Sequence, residues 1–344
     1  MSEGSAFLQL YLSRLREFLR EPEVVFWVFG FPVLLAIGLG IAFRNKPPDE
    51  VAVGIVEGPR VAEARRALSP GAGFRPQELA ADQARRALRL GKVDLVVVPA
   101  EVYEYVFDPT RPESVMARQR VDDALQRGGG RRDPVPVRET HVTEPGARYI
   151  DFLIPGLIGM NIMSGGMWGV GFVIVDMRAR RLLKRLLATP MRRADFLGAM
   201  MASRLSFVFT EVVLILAFGW LAFDLVIQGS LLLIALLAVL GGFVFSGLGL
   251  LVASRARKIE TVSGLMNLVM LPMWVFSGVF FSADRFPEAA QPLIRALPLT
   301  ALNDALRAVI LEGAGLASQA GPVALLAAWA AVSFVLALKL FRWT

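Results

Sequence analysis

The sequence predicts an all-α membrane protein: six transmembrane helices, an inserted extracytoplasmic α/β domain, and an interfacial helix at the N-terminus. Three observations lead there. Uncharged runs long enough to cross lipid recur along the chain, at Val24 to Phe43, Phe152 to Val175, Leu225 to Ala253, Thr261 to Ala283 and Gly313 to Leu338. Leu205 to Phe223 is a sixth, interrupted by Glu211. The interval 44–149 has soluble composition, and the basic residues concentrate in alternate loops. The balance of the whole agrees: 55% hydrophobic, 19% charged and mean hydropathy +0.54, against about 25% charged in soluble domains.

Residues 1–23 come first. Within "AFLQLYLSRLREFL", Phe7, Tyr11, Leu15 and Phe18 fall at helical spacing. Leu8, Leu12 and Leu19 widen the stripe, and Gln9, Arg14, Arg16 and Glu17 lie opposite. Such a helix lies in the cytoplasmic interface, and Pro22 then lets the chain turn into the first span, 24–43. That run reads as a retained span, since a signal peptide would start with a short basic region and end at a small-residue cleavage site. The domain 44–149 holds two buried strands, "VAVGIV" at 51–56 and "VDLVVVP" at 93–99. A helix ended by Gly91 lies between them, and a further helix covers 113–127. Strand, helix, strand is a crossover unit, hence α/β. "GGGRRDPVP" links back towards the second span.

The second span, 150–175, is rich in small residues. Gly165 and Gly169 form a GxxxG pair, and Gly159, Gly166 and Gly171 add close-approach positions. In lipid, small residues let helices pack tightly, here either within the chain or at a dimer seam. The loop 176–196 carries seven Arg/Lys against two Asp. In it Leu182, Leu183, Leu186 and Leu187 share one helical face, Arg180, Arg181, Lys184 and Arg185 fill much of the rest, and Thr189-Pro190 ends the helix. Spans follow at 197–223, 229–253, 260–282 and 320–340, with 286–312 between the last two. Arg255, Arg257 and Lys258 mark a second basic loop, and Lys339 and Arg342 a basic tail. Short basic loops stay in the cytoplasm, so six crossings place both termini there.

Candidate chemistry is sparse. The chain has no cysteine, and its one histidine, His141, has no ligand partners at metal spacing. No GxxxxGK[ST] phosphate loop, HExxH or GxSxG occurs, so neither nucleotide binding of that kind nor hydrolytic chemistry is expected, and the chain itself binds no cofactor. The net charge of +7 follows the topology rather than a nucleic-acid surface. Glu211 stands near the middle of its span, where an acid costs about 2.5–3.5 kcal/mol on insertion scales. Arg204, two turns earlier on a similar face, can snorkel to the cytoplasmic end. Asn161, Asn267 and Glu260 are candidate polar partners for Glu211, whose role reads as structural or gating in preference to substrate contact.

Taken together, "GLIGMN…RLLKRLLATPMRRADFL", "ETVSGLMNLVMLPMWVFSGVFFSADRFP" and "LPLTALNDALRAVILEG" resemble the corresponding stretches of bacterial type-two ABC transporter permeases. "REPEVVFWVFGFPVLLAIGLGIAF" and "EYVFDPTRPESVMARQRVDDAL" fit the same family, so the likeness spans nearly the whole chain. One departure stands out: where the family often has an acidic "ERE"-like run, this chain reads "VDMRARRLLKR". The resemblance implies a permease homodimer in the bacterial inner membrane. Each copy would bind a separate ABC ATPase subunit that holds ATP-Mg. It also implies a coupling helix from Arg178 to Thr189, and short re-entrant helices over 286–312. Function is then outward transport of a hydrophobic or amphipathic substrate such as a drug or lipid, with an envelope adaptor as a further partner of the external domain. The alternative is a membrane sensor or envelope-assembly scaffold with an external ligand-binding domain.

Overall fold

The computed structural model describes residues 6–43, 50–132, 148–188, 192–256 and 258–340. His141, Thr189 and most of the linker after 132 lie outside them. The chain divides into two compact units, residues 45–142 and the remainder.

The smaller unit is a four-stranded sheet in the order β2-β1-β3-β4, with β1 Val51–Ile55, β2 Phe74–Glu78, β3 Leu95–Pro99 and β4 Tyr103–Val106. β1 is parallel to β2 and β3, and β3 is antiparallel to β4. Every residue of β1 is buried, which is why it reads as a continuous apolar run instead of an alternating one. Helices Val61–Ala67 (α3) and Pro112–Gly128 (α5) cover one face, where Val53, Ile55, Leu95, Val97, Val121 and Leu125 meet. Helix Ala81–Arg89 (α4) covers the other, over Val93 and Val96. Gly91 closes α4 at φ 68°, as its sequence position suggests. Two strands go beyond the sequence reading. β2, "FRPQE", has no apolar alternation and carries Pro76, which suits an edge. β4, "YEYV", pairs as a short antiparallel strand through Tyr103 and Tyr105.

The larger unit is a helical bundle. Among the described residues, six helices in it are long and apolar enough to cross a membrane: Pro22–Ala42 (α2), Tyr149–Ala179 (α6), Arg193–Phe223 (α8), Leu231–Ala253 (α9), Ile259–Phe276 (α10) and Ala320–Leu340 (α13). They are preceded by Ala6–Arg20 (α1), and Leu182–Leu187 (α7), Gln291–Ala296 (α11) and Pro298–Glu312 (α12) fall between them. α6 and α9 form the centre, packed against each other and against α8, α12 and α13. Their contact is backbone to backbone. A Cβ on Gly166 would come within 2.7 Å of the Phe245 Cβ, and one on Gly249 within 3.0 Å of the Met167 Cα. The tight crossing therefore uses Gly166, Gly171 and Gly249. α10 ends at Phe276, short of the expected 282, because Gly278 at φ 69° turns the chain into a non-helical stretch. α6 runs on to Ala179, past the expected end at 175.

α1 lies against α8 through its aromatic stripe. Phe18 stacks on Phe207 with ring centroids 4.0 Å apart, and Tyr11 Oη is 2.9 Å from Ser206 Oγ. Leu8, Leu12 and Leu19 stay exposed on the chain's own surface.

Candidate functional site

Two polar regions in the bundle carry the sequence-derived candidates. The first is buried. Arg204 and Glu211, seven residues apart on α8, form a two-pronged ion pair, Nη1 to Oε1 at 2.7 Å and Nη2 to Oε2 at 3.0 Å. Their side chains are 5% and 1% exposed. Arg204 thus turns inward to the acid instead of snorkelling to a membrane face, since a charge-assisted fork recovers more of the desolvation cost than a lone cation could. The groove that admits it is made by Gly165 and Gly169. A Cβ at Gly165 would overlap the guanidinium, and one at Gly169 would touch the Arg204 Cδ at 3.6 Å. The GxxxG pair houses an arginine of the same chain.

Asn161 completes this cluster through its two ends. Its backbone carbonyl accepts from Arg204 Nη2 at 3.5 Å, and its side-chain Nδ2 donates to the Val28 carbonyl at 2.8 Å. Val28 lies in a π-helical turn, Phe26–Gly30, four residues before Pro32. Proline has no N–H, so the carbonyl four residues earlier lacks its helical donor, and Asn161 supplies one. Spans α2, α6 and α8 are joined at this point. Asn267 and Glu260 take no part: both are exposed, on α10.

The second region is the segment from α6 to α7. α6 ends after Arg178 and Ala179, and Arg181 at φ 60° reverses the chain into α7. Asp176 pairs with Arg180 at 2.9 Å. Arg180, Arg181, Lys184 and Arg185 are all exposed, a cationic surface. Leu183 is 2% exposed and belongs to the bundle core with Phe196. Leu182 is half-buried. The side chains of Leu186 and Leu187 lie outside the described residues. Leu183 therefore anchors α7 to its own chain, while Arg181, Lys184 and Arg185 present their charges outward. Arg178, grouped with them by sequence, is partly buried and turned the other way. Its Nη1 donates to the carbonyls of Ala253 at 2.9 Å and Ala256 at 2.5 Å.

A third polar cluster was not singled out by sequence. On α12, Asn303 is fully buried, donates from Nδ2 to the Ser277 carbonyl at 2.8 Å, and fits against Gly159. One turn on, Arg307 stacks over the Phe152 ring at 3.8 Å, donates to the Phe152 carbonyl at 3.3 Å and bonds the Gly278 carbonyl. The signal was present: an Asn and an Arg four apart in a largely apolar helix share one face.

Six apolar helices around buried polar clusters define a multi-pass membrane protein. The chain belongs to the family described as ABC-2 family transporter protein, whose model matches residues 22–339; it is a type-two ABC permease. It is 29% identical over 202 residues to Nodulation protein J of Rhizobium meliloti (strain 1021), covering 57% of this chain and 75% of that one. It is 25% identical to Probable multidrug ABC transporter permease YbhR of Escherichia coli (strain K12), over 50% of this chain and 47% of that one. With ABC transporter G family member 20 of Dictyostelium discoideum it shares 25% identity over 52% of this chain, a match spanning only 25% of the amoebal protein.

Proposed function

We propose that this chain is the membrane subunit of an ATP-driven exporter of the bacterial inner membrane, paired with a second copy and driven by separate ATPase subunits. The observation that carries the reading is the exposed Arg180, Arg181, Lys184 and Arg185 surface on a helix pinned by Leu183. A rigidly anchored, charged element at the end of a central span is suited to receive force from a soluble partner. ATP-Mg belongs to that partner. Loop charge supports cytoplasmic placement of this segment, of the basic stretch 254–258 and of both ends of the chain, and hence an extracytoplasmic 45–142 unit.

Pairing is supported by α10. Glu260 and Asn267 are exposed, seven residues apart, and so on a similar face of an otherwise apolar span. A second copy, or a water-filled path between copies, relieves the cost of setting an amide against lipid. α12 supports the re-entrant reading: its 15 residues span roughly 22 Å, less than the roughly 30 Å hydrocarbon core. The multidrug name of YbhR favours a hydrophobic or amphipathic cargo.

The test is co-purification with the cognate ATPase from detergent-solubilised membranes. Lys184→Glu with Arg185→Glu is expected to release the ATPase and leave the permease monodisperse. Leu183→Ser is expected instead to lower permease stability by roughly 2–5 kcal/mol, the cost of emptying a core leucine site. Full ATPase retention by the charge-reversed pair would refute docking at this surface.

A further inference from the structure

The position of Arg178 bears on how spans other than α6 could follow a stroke delivered to α7. Its guanidinium meets three carbonyls where α9 stops: Nη1 reaches Ala253 and Ala256, and Nη2 reaches Ser254 at 3.5 Å. The last carbonyls of a helix have no partner within it, and a cation there also answers the negative end of the helix dipole. A planar fork can bridge several carbonyls at once, which an ammonium cannot do in the same way. Next to it, Met177 Sδ lies 2.8 Å from Arg14 Nη2 of α1. The ends of α6 and α9 and the side of α1 thus meet at two successive residues. α10 starts at Ile259, shortly after the carbonyls that Arg178 holds. Toward α7, only Ala179 and Arg180 separate Arg178 from the Arg181 reversal.

We propose that Arg178 is a positioning residue that clasps the end of α9, and with it the start of α10 that follows closely along the chain, to the docking helix α7. Displacement of α7 then carries α9 and α10 with it as one body. This rests on the docking role proposed above for α7.

The chain has no cysteine, so a distance can be read directly. Spin labels on Ala188→Cys, just past α7, and Arg255→Cys, both exposed positions, would be measured by pulsed electron resonance. The permease would be in nanodiscs with its ATPase, without nucleotide and with ATP and vanadate. With the labelled chain diluted in an excess of unlabelled copies, so that the distance within one chain is read, and with Arg178 intact, one narrow distance is expected, the same in both states. Arg178→Gln should broaden it and shift it to longer values with nucleotide, and Arg178→Lys should fall between the two. An unchanged narrow distance in Arg178→Gln overturns the clasp. Should that variant not fold, Arg178→Lys decides: a distance as narrow as with arginine overturns the clasp by a fork. Failure of the docking reading is separate, seen as absence of a co-purified ATPase, while the width without nucleotide still judges the clasp.

Discussion

At the scale of single residues, the Arg204–Glu211 pair is costly to disturb. Two charges have been taken out of water, and each is tolerated because the other is in reach. Removing one partner leaves an uncompensated buried charge, whereas removing both can be nearly neutral. Glu211→Ala is therefore expected to lower stability by about 3–5 kcal/mol, and Arg204→Met with Glu211→Leu to recover most of it. Thermal midpoints of the purified permease in detergent would compare them. Gly165→Ala displaces the same guanidinium and should resemble Glu211→Ala, while Gly264→Ala, with nothing within 4 Å, should not. Arg181 makes the opposite case. Its φ of 60° costs a side-chain-bearing residue roughly 1–2 kcal/mol. Arg181→Gly is expected to raise the midpoint modestly.

At the scale of elements, the six spans were legible because lipid imposes a length and an apolarity that a sequence cannot hide. The buried strands β1 and β3 were legible for a related reason, each being a short continuous apolar run. β2 and β4 were not, because edge strands need little apolar surface and take their identity from pairing partners distant in sequence. The candidate residues divide the same way. Glu211 stood out as an acid in lipid and Arg204 as its neighbour on a similar face, but the direction Arg204 takes depends on a groove in another helix. Leu182 and Leu183 look alike in sequence, yet of the two only Leu183 is buried in the bundle core. Periodicity gives the face of a helix and cannot say which side of that face the rest of the protein occupies. Arg178 is the sharpest example: composition grouped it with the other arginines, and only the end of α9 reveals what it holds.

At the scale of the whole molecule, the division into two compact units has a direct consequence, because each has a separate apolar core. Residues 45–142 need no lipid to bury Val53, Ile55, Leu95 and Val121, so this unit is expected to fold as an excised soluble fragment with one cooperative transition. Its stability should carry a tyrosine signature. Tyr105 donates from its hydroxyl to Asp122 Oδ1 at 3.0 Å. Burial first, then that hydrogen bond to a carboxylate, pushes its pKa up to about 12. In the unfolded chain the phenol ionises near ~10. Between those values the unfolded state has lost a proton that the folded state keeps, so its population grows and stability falls as pH rises. The contribution is complete below pH ~10 and is lost as pH passes through about 12. Urea titrations of the fragment and of Tyr105→Phe should therefore differ by about 1 kcal/mol at neutral pH, the worth of the hydrogen bond. The gap should close as pH climbs through that window. A gap of constant size would mean that Tyr105 ionises alike in both states, and that the contact with Asp122 does not hold in solution.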